Sequence, residues 1–315
     1  MTHDVSVIGL FILDILGRPV ARIPDGGNVA FIDEIRLTVA GTAGGTVVDC
    51  AKLGLRCLAV GAVGDDEKAD FVLQRLQHHG IDSSGMQRLA GVPTSATILN
   101  IRPNGERPAL HVRGASDHFT LDAASDDRVL AAPIIHLGGT GLLRALDGEP
   151  SRRLLAEAKR RGRTTTFDLI AASAETLALV DPLLPFIDYF MPSIEEARDM
   201  SGLSDPSDVA RFFRDRGATC CIFTMGAEGS FVATRDAAFR VPAFDVAVTD
   251  TTGCGDAFDA GMICGLAHGF DLETCARLAT AASALVATGL GSDAGIVSFE
   301  DTVEKMRTLK VRRNG

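Results

Sequence analysis

The residues with the clearest capacity for chemistry lie in one stretch, Val248-Thr-Asp-Thr-Thr-Gly-Cys-Gly-Asp-Ala-Phe-Asp-Ala-Gly261. Gly253 and Gly255 carry no Cβ and let the backbone approach a ligand closely. The run that follows, Ala257 to His268, is built of small residues and reads as a helix starting near Gly255. The free N–H groups and positive dipole end of such a helix point into the glycine turn and favour an anion such as phosphate. Asp256 then stands in the first helical turn, beside that anion. A carboxylate there repels phosphate unless it has a task, such as taking a proton from an attacking hydroxyl. Asp250 and Asp256 are also of the type that caps ordinary helices, and for Asp250 that plainer reading carries equal weight.

The elements that must hold this stretch follow from periodicity. Short apolar runs at Val5–Leu10, Leu58–Val63, Ile134–Leu137, Thr164–Leu169, Phe186–Met191 and Cys220–Thr224 read as buried strands. Helical segments lie between them, opening at Gly64-Asp65-Asp66 and running over 151–161. Such alternation predicts an α/β fold, a mostly parallel sheet with helices on both faces. Ligands in such sheets bind at the carboxyl ends of the strands, where the glycine turns fall. His136, inside a strand, reads as a packed core histidine. Two segments, 18–40 and 94–112, break the alternation with strand-like runs, and Pro103-Asn-Gly-Glu106 is a hairpin signal. They predict a small separate sheet.

Composition narrows the function. Acidic residues outnumber basic ones, 41 to 31, which argues against nucleic acid. No apolar run reaches the roughly 18 residues a membrane span needs. The start, Met-Thr-His-Asp, lacks the blocks of a signal peptide. Seven cysteines without a CxxC pair predict a reduced, cytoplasmic protein without structural zinc. No P-loop or dinucleotide fingerprint is present, which argues against a nicotinamide-dependent oxidoreductase.

Asp250-Thr-Thr-Gly-Cys-Gly-Asp-Ala-Phe-Asp-Ala-Gly261 resembles the second signature of the ribokinase-like (PfkB) carbohydrate kinases. The resemblance runs from Val5 to about Val297 and implies one ribokinase-like domain over 1–315, with a small β-sheet lid over the acceptor. It implies ATP-dependent phosphorylation of a hydroxyl, with Asp256 as base and Gly253, Cys254 and Gly255 as anion hole. Asp14, Gly41, Gly44, Gly45 and Asp168 match positions that hold the acceptor, and a carboxylate suits a polyol because it accepts two hydroxyls. Ser193, Thr224, Gly226, Gly229, Thr280 and Ser283 match the nucleotide side. Glu196 matches a glutamate that holds Mg2+ through water, and Asp250 and Thr252 align with a monovalent-cation (K+) site. The acceptor is expected to be a sugar, with a nucleoside as the alternative, and the lid a homodimer surface. A non-catalytic sugar or nucleotide sensor is the rival reading. The chain departs from the family at three asparagine positions, now Gly45, Ile170 and Ser193. Gly45 is expected to leave a gap the size of the missing side chain.

Overall fold

Nine strands form the main sheet of the structure, a computed structural model that describes residues 2–121 and 127–312. They are β1 (Val5–Gly9), β4 (Cys57–Val63), β5 (Asp82–Arg88), β8 (Ile134–Thr140), β9 (Thr164–Leu169), β10 (Tyr189–Phe190), β11 (Cys220–Thr224), β12 (Ser230–Ala233) and β13 (Ala238–Val241). Their order is β13-β12-β11-β10-β9-β8-β1-β4-β5. All pairings from β5 to β11 are parallel, and β12 and β13 continue antiparallel. The helices are α1 (Gly44–Lys52), α2 (Glu67–His78), α3 (Glu149–Arg160), the single turn α4 (Leu177–Val180), α5 (Ile194–Ser201), α6 (Pro206–Arg214), α7 (Cys254–Ala267), α8 (Leu272–Val286) and α9 (Phe299–Thr308).

Side chains on alternate sides of each strand feed separate cores. Ile8 of β1 packs with Leu154, Phe167, Phe190 and Phe213 under α3, α5 and α6. Val5 and Val7 pack with Val47, Val72, Ile263 and Leu278 under α1, α2, α7 and α8. A sheet covered on both faces needs continuous apolar runs, which is why those runs were readable. The predicted strand at 186–191 shrinks to Tyr189–Phe190, because Leu184–Phe186 turns as a 3-10 helix at Pro185. His136 is fully buried. Asp66 caps α2, accepting from the Ala69 N–H at 3.0 Å. Helices α7 and α8 pack backbone to backbone, since a Cβ on Gly261 would come within 2.5 Å of Ala279 Cα.

The second sheet has four strands, β3 (Glu34–Ala40), β2 (Ile12–Arg18), β6 (Ala96–Asn100) and β7 (Ala109–Val112), in that order. It starts earlier than residue 18, at Ile12, so Asp14 belongs to it. Residues 19–33 form no strand, since Pro19 and Pro24 lack the N–H a ladder needs and Gly26-Gly27 has no side chain to pack. Pairing registers put Thr38, Asp14, Thr97 and His111 in one row on one face. The opposite face carries Ile35, Leu37, Ile98, Leu110 and Val112, all exposed.

Candidate active site

The site begins at the entry to α7. Gly253 has φ +78°, in the left-handed region, and a Cβ there would meet Ser292 Cβ at 2.5 Å. Glycine is therefore required twice over, by backbone and by space. Asp250 pins the turn. Its Oδ1 accepts from the Thr252 N–H at 3.0 Å and the Thr252 hydroxyl at 2.9 Å, and its Oδ2 from the Gly291 N–H at 3.0 Å. Arg107, from the loop between β6 and β7, donates to Thr252 Oγ1 at 3.2 Å. Burial pushes the Cys254 thiol up to about 12, so it stays neutral, while its backbone N–H makes a long bond to Thr251 O at 3.3 Å. The chain around α7 thus presents a fixed, positively polarised helix start.

Asp256 sits just inside that helix start and is half-buried. Burial pushes its carboxyl up to about 7, the charge of Asp14 adds to this, and Arg107 opposes it. Asp14 reaches in from β2. Burial raises it to about 7 as well, against a hydrogen bond from Thr97. Asp168 ends β9, and burial holds it well above the usual carboxylate range, with the Glu196 charge next in effect. A base whose proton affinity lies near neutrality is well matched to deprotonating a hydroxyl.

Of the three glycines at the entry to α1, Gly45 is the one whose nearest neighbour is one of these acids. A Cβ on Gly41 (φ +86°) would meet Leu10 O at 2.5 Å, and one on Gly44 would meet Val39 Cγ1 at 3.2 Å. Gly45 corrects the sequence expectation. It leaves no gap, because a Cβ there would lie 2.8 Å from Asp256 Cγ. The Asp256 carboxyl occupies that space, and Thr46 Oγ1 donates to Asp256 O at 3.3 Å.

On the other side of the turn is a cavity of about 260 Å3. Thr224, Gly226 and Gly229 line it from the β11–β12 loop, Cys254, Gly255 and Phe258 from α7, and Thr280 and Ser283 from α8. Ser193 stands beside Thr224 through a parallel backbone bridge. Glu196 Oε2 accepts from the Ser193 N–H at 3.1 Å and its hydroxyl at 2.7 Å, and Ser193 Oγ accepts from the Glu196 N–H at 3.2 Å. This capping box holds the carboxylate still, and burial raises its proton affinity. A second cavity of about 600 Å3 opens between Arg18, Arg102 and Asn104 of the small sheet and residues 248–251.

Among the described residues no group of three or more His, Cys, Asp or Glu could hold a metal by itself. Mg2+ fits nonetheless, because it keeps several waters and needs few protein carboxylates, and Glu196 offers one hard oxygen donor group. Asp250 and Thr252 stand together at the position matched to a monovalent-cation site. Their oxygens are engaged with each other and with Gly291, and a guanidinium donates to the Thr252 hydroxyl.

Several residues escaped the sequence reading. Thr97 and His111 join the site only through strand pairing, with His111 Nδ1 and Thr97 Oγ1 3.1 Å apart. Arg107 contacts a residue 145 positions away. Asp259 carried a signal, since three residues beyond Asp256 is the same face of a helix.

The whole of this architecture has known counterparts. A family model described as pfkB family carbohydrate kinase matches residues 2–298. A 2-dehydro-3-deoxygluconokinase of Thermoproteus tenax is 27% identical over 309 residues, covering 93% of this chain and 94% of that protein. Ribokinase from Arabidopsis thaliana, solved with ribose and ATP, superposes with a TM-score of 0.81 at 20% identity, covering 98% of this chain and 99% of that one. A nucleoside kinase of Burkholderia thailandensis, solved with inosine, gives 0.79 at 22% identity, over 96% and 98%. The small sheet, the glycine turn and the acid behind it lie within the matched span, and the chain belongs to the pfkB family of carbohydrate kinases.

Proposed function

We propose that the protein moves the γ-phosphoryl group of ATP onto a hydroxyl of a small sugar, with Asp256 as the general base. The observation that carries this is Asp256 itself, a half-buried carboxyl whose proton affinity burial raises to near neutrality, at the start of a helix whose first residues Cys254 and Gly255 line the adjoining cavity. Asp256 takes the hydroxyl proton as the oxygen attacks. The N–H groups of Gly253, Cys254 and Gly255 hold the charge that builds on the transferred group, which is most of the catalytic work in such reactions. Asp14 and Asp168 accept hydrogen bonds from other acceptor hydroxyls. ATP lies in the cavity, phosphates along Thr224, Gly226 and Gly229, adenine against Thr280 and Ser283. Ser193 borders the phosphate path beside Thr224. Mg2+ bound to the phosphates would neutralise their charge, with Glu196 holding its water shell. No step is routed through a monovalent cation. A nucleoside acceptor is the second reading, favoured by the B. thailandensis structure with inosine. The seven unpaired thiols support a reducing, cytoplasmic setting. No helix among the described residues is long and apolar enough to cross a membrane. An ADP-release assay over sugars, sugar acids and nucleosides tests the reading, and silence across the whole panel overturns it.

Glu196→Gln should raise the Mg2+ concentration for half-maximal rate several-fold and leave the enzyme folded, because the hard cation loses a carboxylate. An unchanged Mg2+ requirement would reduce Glu196 to its capping role.

The exposed face of the small sheet supports a homodimer. Ile35 and Leu110 are each 66% exposed, beside Leu37, Ile98 and Val112, on a sheet whose other face covers the site. Solvent is a poor partner for such a contiguous apolar surface, and a second copy supplies a matching one. Sedimentation should show a dimer that Leu110→Asp converts to monomer. A monomeric wild-type protein at micromolar concentration removes the proposal.

A further inference from the structure

The cavity of about 260 Å3 beside α7 has a wall almost without charge. Glycines, alanines, hydroxyl side chains and apolar groups line it, and Arg312 is the one charged side chain among the described lining residues. Arg312 lies beyond residues 2–298, the span that the family model matches. The backbone brings it there. The chain leaves α9 at Leu309, whose N–H donates to Lys305 O at 2.9 Å and whose side chain packs against the core that includes Phe244 and Met306. It then runs antiparallel to residues 243–245. The Asp245 N–H donates to Lys310 O at 2.8 Å, the Arg312 N–H donates to Ala243 O at 2.7 Å, and Phe244 and Val311 form a bridge between these bonds. Ala243 in turn stands against the glycine loop, since a Cβ on Gly229 would come within 2.6 Å of Ala243 N. Arg312 is thus attached at the Gly226–Gly229 end of the cavity.

Its guanidinium is uncommitted. Among the described residues this side chain has no hydrogen bond, ion pair or ring contact, and no carboxylate lines the cavity to neutralise it. Arg240, by contrast, is engaged near the same loop, its Nη1 lying 3.6 Å from Glu228 Oε2 and 3.5 Å from Met225 Sδ. A guanidinium carries only donors, in a planar fork that matches the oxygens of a phosphate. Resting on the reading given above, we propose that Arg312 is a nucleotide-binding residue, donating from the C-terminal segment to the phosphate chain of the bound nucleotide. Residues 309–312 then form a working wall of that site. They give it a second source of positive charge besides the start of α7, in a chain whose net charge is −10. The ligand class that gains is the nucleoside di- and triphosphates, whose several phosphate oxygens can meet the fork, and the bare nucleoside gains nothing.

The test follows displacement of a fluorescent ATP analogue by ADP with Mg2+ and by adenosine, which reads the nucleotide cavity alone. It compares the wild type with Arg312→Ala, Arg312→Lys and Arg307→Ala. Arg312→Ala should weaken ADP ~5- to 20-fold, below the value of a buried charge-assisted bond because Arg312 is exposed, and leave adenosine unchanged. Arg312→Lys keeps the charge without the fork and should fall between the two. Arg307→Ala removes the same charge from α9, outside the cavity lining, and should leave ADP binding unchanged. The wild-type affinity for ADP should also fall more steeply with added salt than that of Arg312→Ala. Unliganded melting curves that superpose on the wild type show the segment in place. Unchanged ADP binding in Arg312→Ala, equal loss of ADP and adenosine, or equal loss in Arg307→Ala overturns the proposal. A wild type that binds no ADP overturns the phosphotransfer reading itself, whereas a wild type that binds ADP beside an unaffected Arg312→Ala overturns the role of Arg312 alone.

Discussion

Replacing Asp256 by Asn is expected to lower turnover by at least ~10²-fold while ATP still binds, in line with the usual contribution of a general base. Asn keeps the size of the side chain and removes only its ability to take the proton. Near-normal turnover would reject the assignment. The wild-type pH profile supplies a second check. The base must be ionised to act, so the rate should rise with pH through about 7, where burial places this carboxyl, and then level off. Stability should move in the opposite direction. The folded carboxyl binds its proton more tightly than the value of 3.8 for an exposed group. The stability it contributes is complete below that value and is lost as pH rises toward 7, because the fold then has to hold a buried charge. Asp256→Asn should therefore melt at a higher temperature than the wild type at pH 8, with little difference at pH 4. A variant both inactive and more heat-resistant identifies a group placed for chemistry at the expense of the fold.

The second large effect is expected at a residue without a side chain. Gly45→Asn would restore the residue type that relatives use against the sugar, and the sequence alone predicts a gain for simple sugars. The structure reverses the sign. The new Cβ would lie 2.8 Å from Asp256 Cγ, closer than carbon atoms pack, so the base must move. Displacing a reacting group by about 1 Å costs on the order of 10²-fold in rate. Both Gly45→Asn and Gly45→Ala should lose turnover by roughly that factor. ATP binding should survive, because the nucleotide cavity lies on the far side of the α7 turn. Any gain in ribose turnover by Gly45→Asn would show that Asp256 yields without harm.

Much of this was legible in the sequence, for physical reasons that differ by region. The parallel sheet announced itself because strands buried on both faces must be apolar throughout, as Val5–Gly9 and Cys57–Val63 are. The turn at Gly253 was legible because its φ of +78° and its contact with Ser292 leave no other residue type. The cavity beside α7 gathers Thr224, Gly226, Gly229, Thr280 and Ser283, each named from the family resemblance. The small sheet was harder. Asp14 looked like an isolated acid in an apolar run, and only the pairing of Ile12–Arg18 with β3 and β6 shows which neighbours it has. Thr97, His111 and Arg107 reach the site through long-range registers that no local pattern encodes. Gly45 was misjudged because a missing side chain reads as empty space in a sequence, whereas in the fold another element claims it.

The contact between α7 and α8 has a consequence for how such an enzyme changes. At Gly261 a Cβ would strike Ala279 Cα at 2.5 Å, and at Gly265 it would lie 3.0 Å from Cys275 Cα, so these helices have no room to slide or to accept larger residues. The helix that carries Asp256 is thereby clamped from behind. Asp14, the acid proposed to meet the acceptor, instead rides on a four-stranded sheet whose outer face is exposed. The two halves of the proposed catalytic site thus differ in mechanical stiffness. The half proposed to meet the nucleotide is a fixed jig, and the half proposed to meet the acceptor can be reshaped strand by strand without disturbing it. New acceptor preferences can then arise by substitution in the compliant half, while the phosphate chemistry stays registered to the stiff one.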